Sequence, residues 1–206
     1  MKTITILLAV MAFTISACNQ AENKTKETNH SIAHKQSEKD NVMMGAMDES
    51  MMAMHKAKQT GNADYDFASM MIPHHEGAIK MAEAVVKEGK SVALIDFSNK
   101  VIITQQKEIT MLKDFLKTAS QEPLKKADEF KKALAASMVP MMEGMSKVNL
   151  TNDIDKDFVA LMIPHHQSAV EMAKAYLPFA TDAQIKLIAE GIIKAQREEI
   201  NWLQKQ

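Results

Sequence analysis

The 206-residue chain predicts an all-α fold, a helical bundle built from two tandem three-helix repeats offset by 91 residues. Three observations predict it. The stretch "DFASMMIPHHEGAIKMAEA" at 66–84 returns as "DFVALMIPHHQSAVEMAKA" at 157–175, and "QQKEITML" at 105–112 returns as "QREEINWL" at 196–203, with no gap at that offset. Within each copy the apolar residues recur three and four positions apart, the spacing of one helix face. Alternation with period two, the mark of a half-buried strand, is absent.

The chain opens with "MKTITILLAVMAFTISAC": basic Lys2, an apolar run from Ile4 to Phe13, then small residues before a cysteine. This is the layout of a bacterial secretory signal, too short for a spanning helix with proper flanks. The ending "ISAC" resembles the lipobox of bacterial lipoproteins, which implies a signal at 1–17, cleavage before Cys18 and lipidation of its thiol. An ordinary signal peptide or an anchor helix is the alternative. Cys18 is the only cysteine, so neither a disulfide nor a thiolate site is expected. Residues 18–42 are too polar to bury a core and read as a tether from the membrane. His30 and His34 stand one helical turn apart there, a spacing of little weight in such a segment.

Residues 43–206 read as one duplicated domain, repeat 1 about 43–119 and repeat 2 about 123–206, long enough for a substantial core. The first helix of each copy is methionine-rich. Met47, Met51 and Met54 form one stripe, and Met138, Met142 and Met145 form its counterpart. The second helix keeps its spacing through a proline: Phe67, Met71, His74, Ala78 and Met81 around Pro73, then Phe158, Met162, His165, Ala169 and Met172 around Pro164. A kink at each proline is expected, or a helix that starts there. On the third helix Val101, Gln105, Glu108 and Leu112 share a stripe, as do Ile192, Gln196, Glu199 and Leu203. Gly61, Gly89, residues 120–123, residues 149–153 and Pro178 supply the breaks. Four long helices with two methionine helices beside them complete the expected bundle.

A formal charge of −1 without a basic patch argues against nucleic acid as a partner. Methionine is the anomaly: 18 in all, with only Met1 and Met11 before residue 43.

Gln105, Glu108, Gln196 and Glu199 interrupt otherwise apolar stripes, so they should be partly buried and need partners. The histidines of the neighbouring helix are the candidates. A glutamate on one ring nitrogen leaves the other free for a metal; a purely structural His–Glu–Gln network fits equally well. His74 and His75 point about 100° apart on a helix, as do His165 and His166, so each ring has its own surroundings. Met70 precedes His74 by one turn and Met71 precedes His75. In the second copy only Met162 before His166 remains, because Leu161 replaces the other. Met81 and Met172 follow His74 and His165 by two turns. Adding the two methionine stripes and His55, whose place Ser146 takes in copy two, gives a thioether and imidazole set. Such soft donors favour copper, above all Cu(I). Methionine stripes also serve as adaptable core. Imidazole sites should weaken as pH falls near 6.5, whereas thioether sites carry no competing proton.

The doubled "D-F-x-x-x-M-I-P-H-H" with "Q-x-x-E-I-x-x-[MW]-L" resembles the domain-of-unknown-function 305 family over about residues 43–206. The resemblance implies a ferritin-like bundle in a largely exported bacterial family that includes periplasmic copper-binding proteins. With the lipobox and the soft donor set, the expectation is an envelope lipoprotein that binds copper for sequestration, resistance or delivery, with a copper-transfer protein as partner and no enzymatic activity. Gln167 and Ser168 stand where copy one has Glu76 and Gly77, so the copies differ if Glu76 assists a metal. Two other classes remain. A ferritin-like di-iron oxidase needs Glu-x-x-His on two helices, and the one instance, Glu27 to His30, lies in the tether. A metal-free helical interaction module would use the methionines as a plastic apolar surface.

Overall fold

Residues 41–206 are described by the structure, a computed structural model. The signal, Cys18, Glu27, His30 and His34 lie outside the described residues. Seven α-helices follow: α1 Val42–Lys56, α2 Ala63–Glu88, α3 Val92–Leu116, α4 Ala127–Ser137, α5 Val139–Met145, α6 Ile154–Tyr176 and α7 Ala183–Leu203, with one 3-10 turn at Leu177–Phe179. Among the described residues every regular element is helical, and no helix is long and apolar enough to cross a membrane.

α2 and α6 continue through Pro73 and Pro164 rather than starting at them. The second methionine helix differs from the first. It is cut into α4 and α5 at Met138, with Pro140 in the first turn of α5. Proline lacks the N–H that a helix interior requires and disfavours helical backbone in the residue before it. The counterpart of Pro140 is Glu49, which carries no such restriction, and α1 is unbroken.

The repeat extends to the loops. Asn62 and Asp153 cap α2 and α6, and Ser91 and Asp182 cap α3 and α7, each accepting from N–H groups of the first turn. Gly61 (φ 84°) and Asn152 (φ 61°) both take the left-handed conformation that these two residue types tolerate best. Asp66 gathers Thr60 N–H at 2.7 Å and Gly61 N–H at 2.9 Å; Asp157 gathers Thr151 N–H at 2.7 Å and Asn152 N–H at 3.0 Å. A second carboxylate in each copy crosses to the other. Asp64 on α2 accepts from Thr181 N–H at 3.0 Å and Asp182 N–H at 3.2 Å, and from the hydroxyls of Tyr176 and Thr181. Asp155 on α6 accepts from Lys90 N–H at 3.0 Å and Ser91 N–H at 2.9 Å. Each copy thus ties down the turn before the third helix of the other.

α2 and α6 pack against each other, α3 on α2 and α7 on α6, with α1 beside α2 and α4 and α5 beside α6. Two apolar clusters form the core. One joins the first half of α2 to the second half of α6 around Phe67 and Tyr176, whose rings stack at 4.4 Å. The other joins the remaining halves around Phe158, Met81 and Phe97, which stacks on Trp202 at 4.5 Å. Between the two clusters, in sequence and in space, come the histidines.

Candidate metal centre

His74, His75, His165 and His166 are all at most 1% exposed. Residues adjacent on a helix diverge by about 100°, and the four rings divide accordingly. His74 and His165 face each other across α2 and α6 with ring centroids 3.9 Å apart. His75 and His166 turn toward the third helices, where His75 Nε2 lies 2.8 Å from Glu108 Oε2 and His166 Nε2 lies 2.9 Å from Glu199 Oε2. These approaches are close in distance, yet the ring N–H is not aligned with the carboxylate as a hydrogen bond requires. Gln105 and Gln196 are buried beside these glutamates in sequence, each with its side-chain oxygen unpartnered. Glu76 does not join the centre: it is exposed and pairs with Lys113 at 3.1 Å.

The difference between the copies acts through Ser168 instead. Its hydroxyl lies 2.6 Å from His74 Nε2 and donates to the carbonyl of His165 at 2.7 Å. A hydroxyl has one proton. With that proton on the carbonyl, Ser168 Oγ must accept from His74 Nε2–H. The tautomer of His74 is therefore fixed, with Nδ1 bare, buried and unpartnered. In the other copy Gly77 stands at this position, where an added Cβ would come within 2.6 Å of Ser50 Cβ, so α1 approaches α2 too closely for a side chain. His165 has no such hydroxyl, and neither of its ring nitrogens has a hydrogen-bond partner. Sequence reasoning did not assign Ser168 this role; the Gly77-to-Ser168 change was its only trace.

Burial lowers the pKa of His74 and His165 well below the usual histidine value, and the neighbouring histidines lower it further. The backbone carbonyl of the opposite histidine lies near enough to favour the proton without an aligned hydrogen bond, and burial outweighs it. Both rings are neutral at pH 7. Of the eight ring nitrogens in the four histidines, seven have no aligned hydrogen bond.

The methionines divide into two groups. Met71 and Met172 belong to one core cluster and Met81 and Met162 to the other, all fully buried. Met47 is buried in the second cluster and Met145 packs against both. Met43 and Met141, not singled out by spacing, are core residues as well. The remaining members converge on a cavity of about 290 Å³ where α1 meets α4 and α5: Met51, Met54, His55, Met70, Met138 and Met142 line it. Met142, 58% exposed, stands at its mouth. His55 is also exposed, and its Nδ1 lies 3.1 Å from the carbonyl of Met51, a contact that leaves Nε2 as the free acceptor. Pro140 contributes here, since the break it introduces places Met138 at the helix junction, against this cavity. Among the described residues no group of three or more His, Cys, Asp or Glu is placed to hold a metal. The donors that do converge are imidazole pairs and thioethers.

The family model described as "Domain of unknown function (DUF305)" matches residues 14–116 and again 104–206. No curated protein matches the chain by sequence. Among solved structures the chain is similar to CopM in its Ag-bound form obtained by soaking, with 29% identity over 69% of this chain and 92% of that one, at a TM-score of 0.53. CopM in its apo form and in its Cu(II)-bound form is similar at 26% identity over 69% of this chain and 93% of that one, also at 0.53.

Proposed function

The chain belongs to the DUF305 family, and we propose that it is an envelope lipoprotein that binds copper as Cu(I), for sequestration, resistance or delivery, and catalyses no reaction. One observation carries the reading: four buried, adjacent histidines hold five ring nitrogens with neither an aligned hydrogen bond nor a carboxylate against them. Buried polar atoms are nearly always paired, so a cluster of orphans calls for a bound group. A cation fits, because an imidazole nitrogen binds metal through its bare lone pair, and His74 Nδ1 is held in that state. The donors are soft or borderline and neutral, which suits Cu(I) better than cations that require a carboxylate cage. His74 and His165, which face each other, would hold one ion as a pair, and His75 and His166, each set against Glu108 or Glu199, would offer separate single imidazoles oriented by those carboxylates. The methionine cavity would capture copper at the surface. CopM, to which this chain is similar, has been solved with Ag and with Cu(II) bound. Lipid on Cys18 would hold the protein at the membrane, within reach of a copper-transfer partner.

The test is metal analysis of protein beginning at Cys18 after anaerobic loading with Cu(I), Ag(I) or Zn(II). The expected result is uptake of Cu(I) and Ag(I) in preference to Zn(II), with a lower ratio in His74→Gln/His165→Gln that retains its helix content. Absence of copper uptake by the wild type, together with unfolding of that variant, would establish a structural histidine network in a metal-free interaction module.

A further inference from the structure

The methionine cavity and the histidine layer are separate places, yet one residue belongs to both neighbourhoods. Met70 lines the cavity and precedes His74 by four positions on α2, so their Cβ atoms are about 5–6 Å apart on one face. Resting on the copper reading above, we infer that the buried histidines are loaded from one side only, through Met70, which passes a soft monovalent cation from the methionine cavity to His74.

The donors form a graded path. Met142 and His55 are exposed, Met51 and Met138 half-buried, Met54 and Met70 buried at 3% and 6%, and His74 buried at 1%. Each handover exchanges one neutral ligand for the next, so no proton leaves and no electron moves. Thioether carries no proton at any working pH, and His74 Nδ1 has already been freed of its own by Ser168. A chain of such donors lets the ion keep partial coordination while it crosses an apolar layer where a bare charge would be strongly disfavoured.

The second copy has no equivalent path. At the position of Met70 it carries Leu161, fully buried and without a donor atom. The counterpart of His55 is Ser146, and the counterpart of Met138 is Met47, which is packed into the core. A cation taken up at this cavity therefore reaches His165 by way of His74, whose ring lies 3.9 Å from that of His165; Met162, one turn before His166, is fully buried and does not line the cavity.

The experiment measures loading rate and end point separately, by anaerobic stopped-flow transfer of Cu(I) from a coloured chelator to the full mature chain. Met70→Leu installs the residue that the second copy uses at this position, and it is expected to slow loading by about tenfold or more, the scale of a change around a metal ligand. Met142→Leu, at the exposed mouth, should slow loading as well without touching the core. Leu161→Met should leave the rate as in the wild type. Wild-type rates in Met70→Leu or in Met142→Leu overturn the single path, and so does a lowered end point reached at the wild-type rate, which would make Met70 only a ligand. Should Met70→Leu fold poorly, Met142→Leu decides. Failure of the copper reading itself is distinct: wild type and His74→Gln/His165→Gln would then reach the same end point.

Discussion

Lowering the pH of the metal-free protein below 6.5 should destabilise it through His74 and His165. In the unfolded chain each takes up a proton near pH 6.5. In the folded protein burial, reinforced by the neighbouring histidines, keeps both neutral to well below that value. The unfolded state therefore binds more protons in this window, and the stability present above pH 6.5 is lost as pH falls toward the folded-state values. Each histidine contributes a slope of up to about 1.4 kcal/mol per pH unit, and the pair about 2.7 kcal/mol per unit. Domains of this size have about 5–15 kcal/mol in all, so one unit removes a sizeable fraction. Urea unfolding at pH 7.5, 6.5, 5.5 and 5.0 reads the slope, and His165→Gln should remove about half of it. Equal stability at pH 7.5 and 5.5, or an unchanged slope in that variant, would refute the reasoning. A second consequence concerns the metal: burial holds His74 and His165 neutral below the ordinary histidine range, so acid release of an ion they bind should start lower than free histidine suggests.

Ser168→Gly removes the acceptor of His74 Nε2–H and should cost about 1–3 kcal/mol, with loss of the fixed His74 tautomer in imidazole nitrogen NMR spectra. Gly77→Ala places a Cβ within 2.6 Å of Ser50 Cβ and should cost about 1–3 kcal/mol; adding Ser50→Gly should restore much of the stability, as a thermal melt will report. Asp64→Ala leaves Thr181 N–H, Asp182 N–H and the Tyr176 hydroxyl unpaired, at a cost of about 3 kcal/mol or more measured by urea unfolding. Mild peroxide should oxidise Met142 well before the fully buried Met71, Met81, Met162 and Met172, and peptide mass mapping will give the order.

The long helices were legible because two independent regularities, the helical period and the 91-residue offset, agree on them. The division of α4 from α5 was visible only as Pro140 standing against Glu49, a mismatch that spacing alone does not weigh. At the metal centre, helical geometry separated His74 from His75, but partners 94 positions apart cannot be read from local spacing. Ser168 meets His74 because α2 crosses α6 at the histidines. Likewise the stripes put six methionines on helix faces without saying which faces meet. Four of them line the cavity, although Met54 is a core member and Met51 and Met138 pack against the core, while Met47 and Met145 only pack among core residues.

The crossed carboxylates bear on the ancestry of the molecule. A chain with a single copy would present Asp64 with no turn of its own to hold, because the N–H groups that satisfy it belong to the other copy. Two such chains would complete one another about a two-fold axis passing between the paired histidine rings. Head-to-tail joining keeps the two halves in one chain and leaves each free of that symmetry. Ser168 opposite Gly77, and Leu161 opposite Met70, are changes that a homodimer would have had to make twice, once in each subunit at the same position.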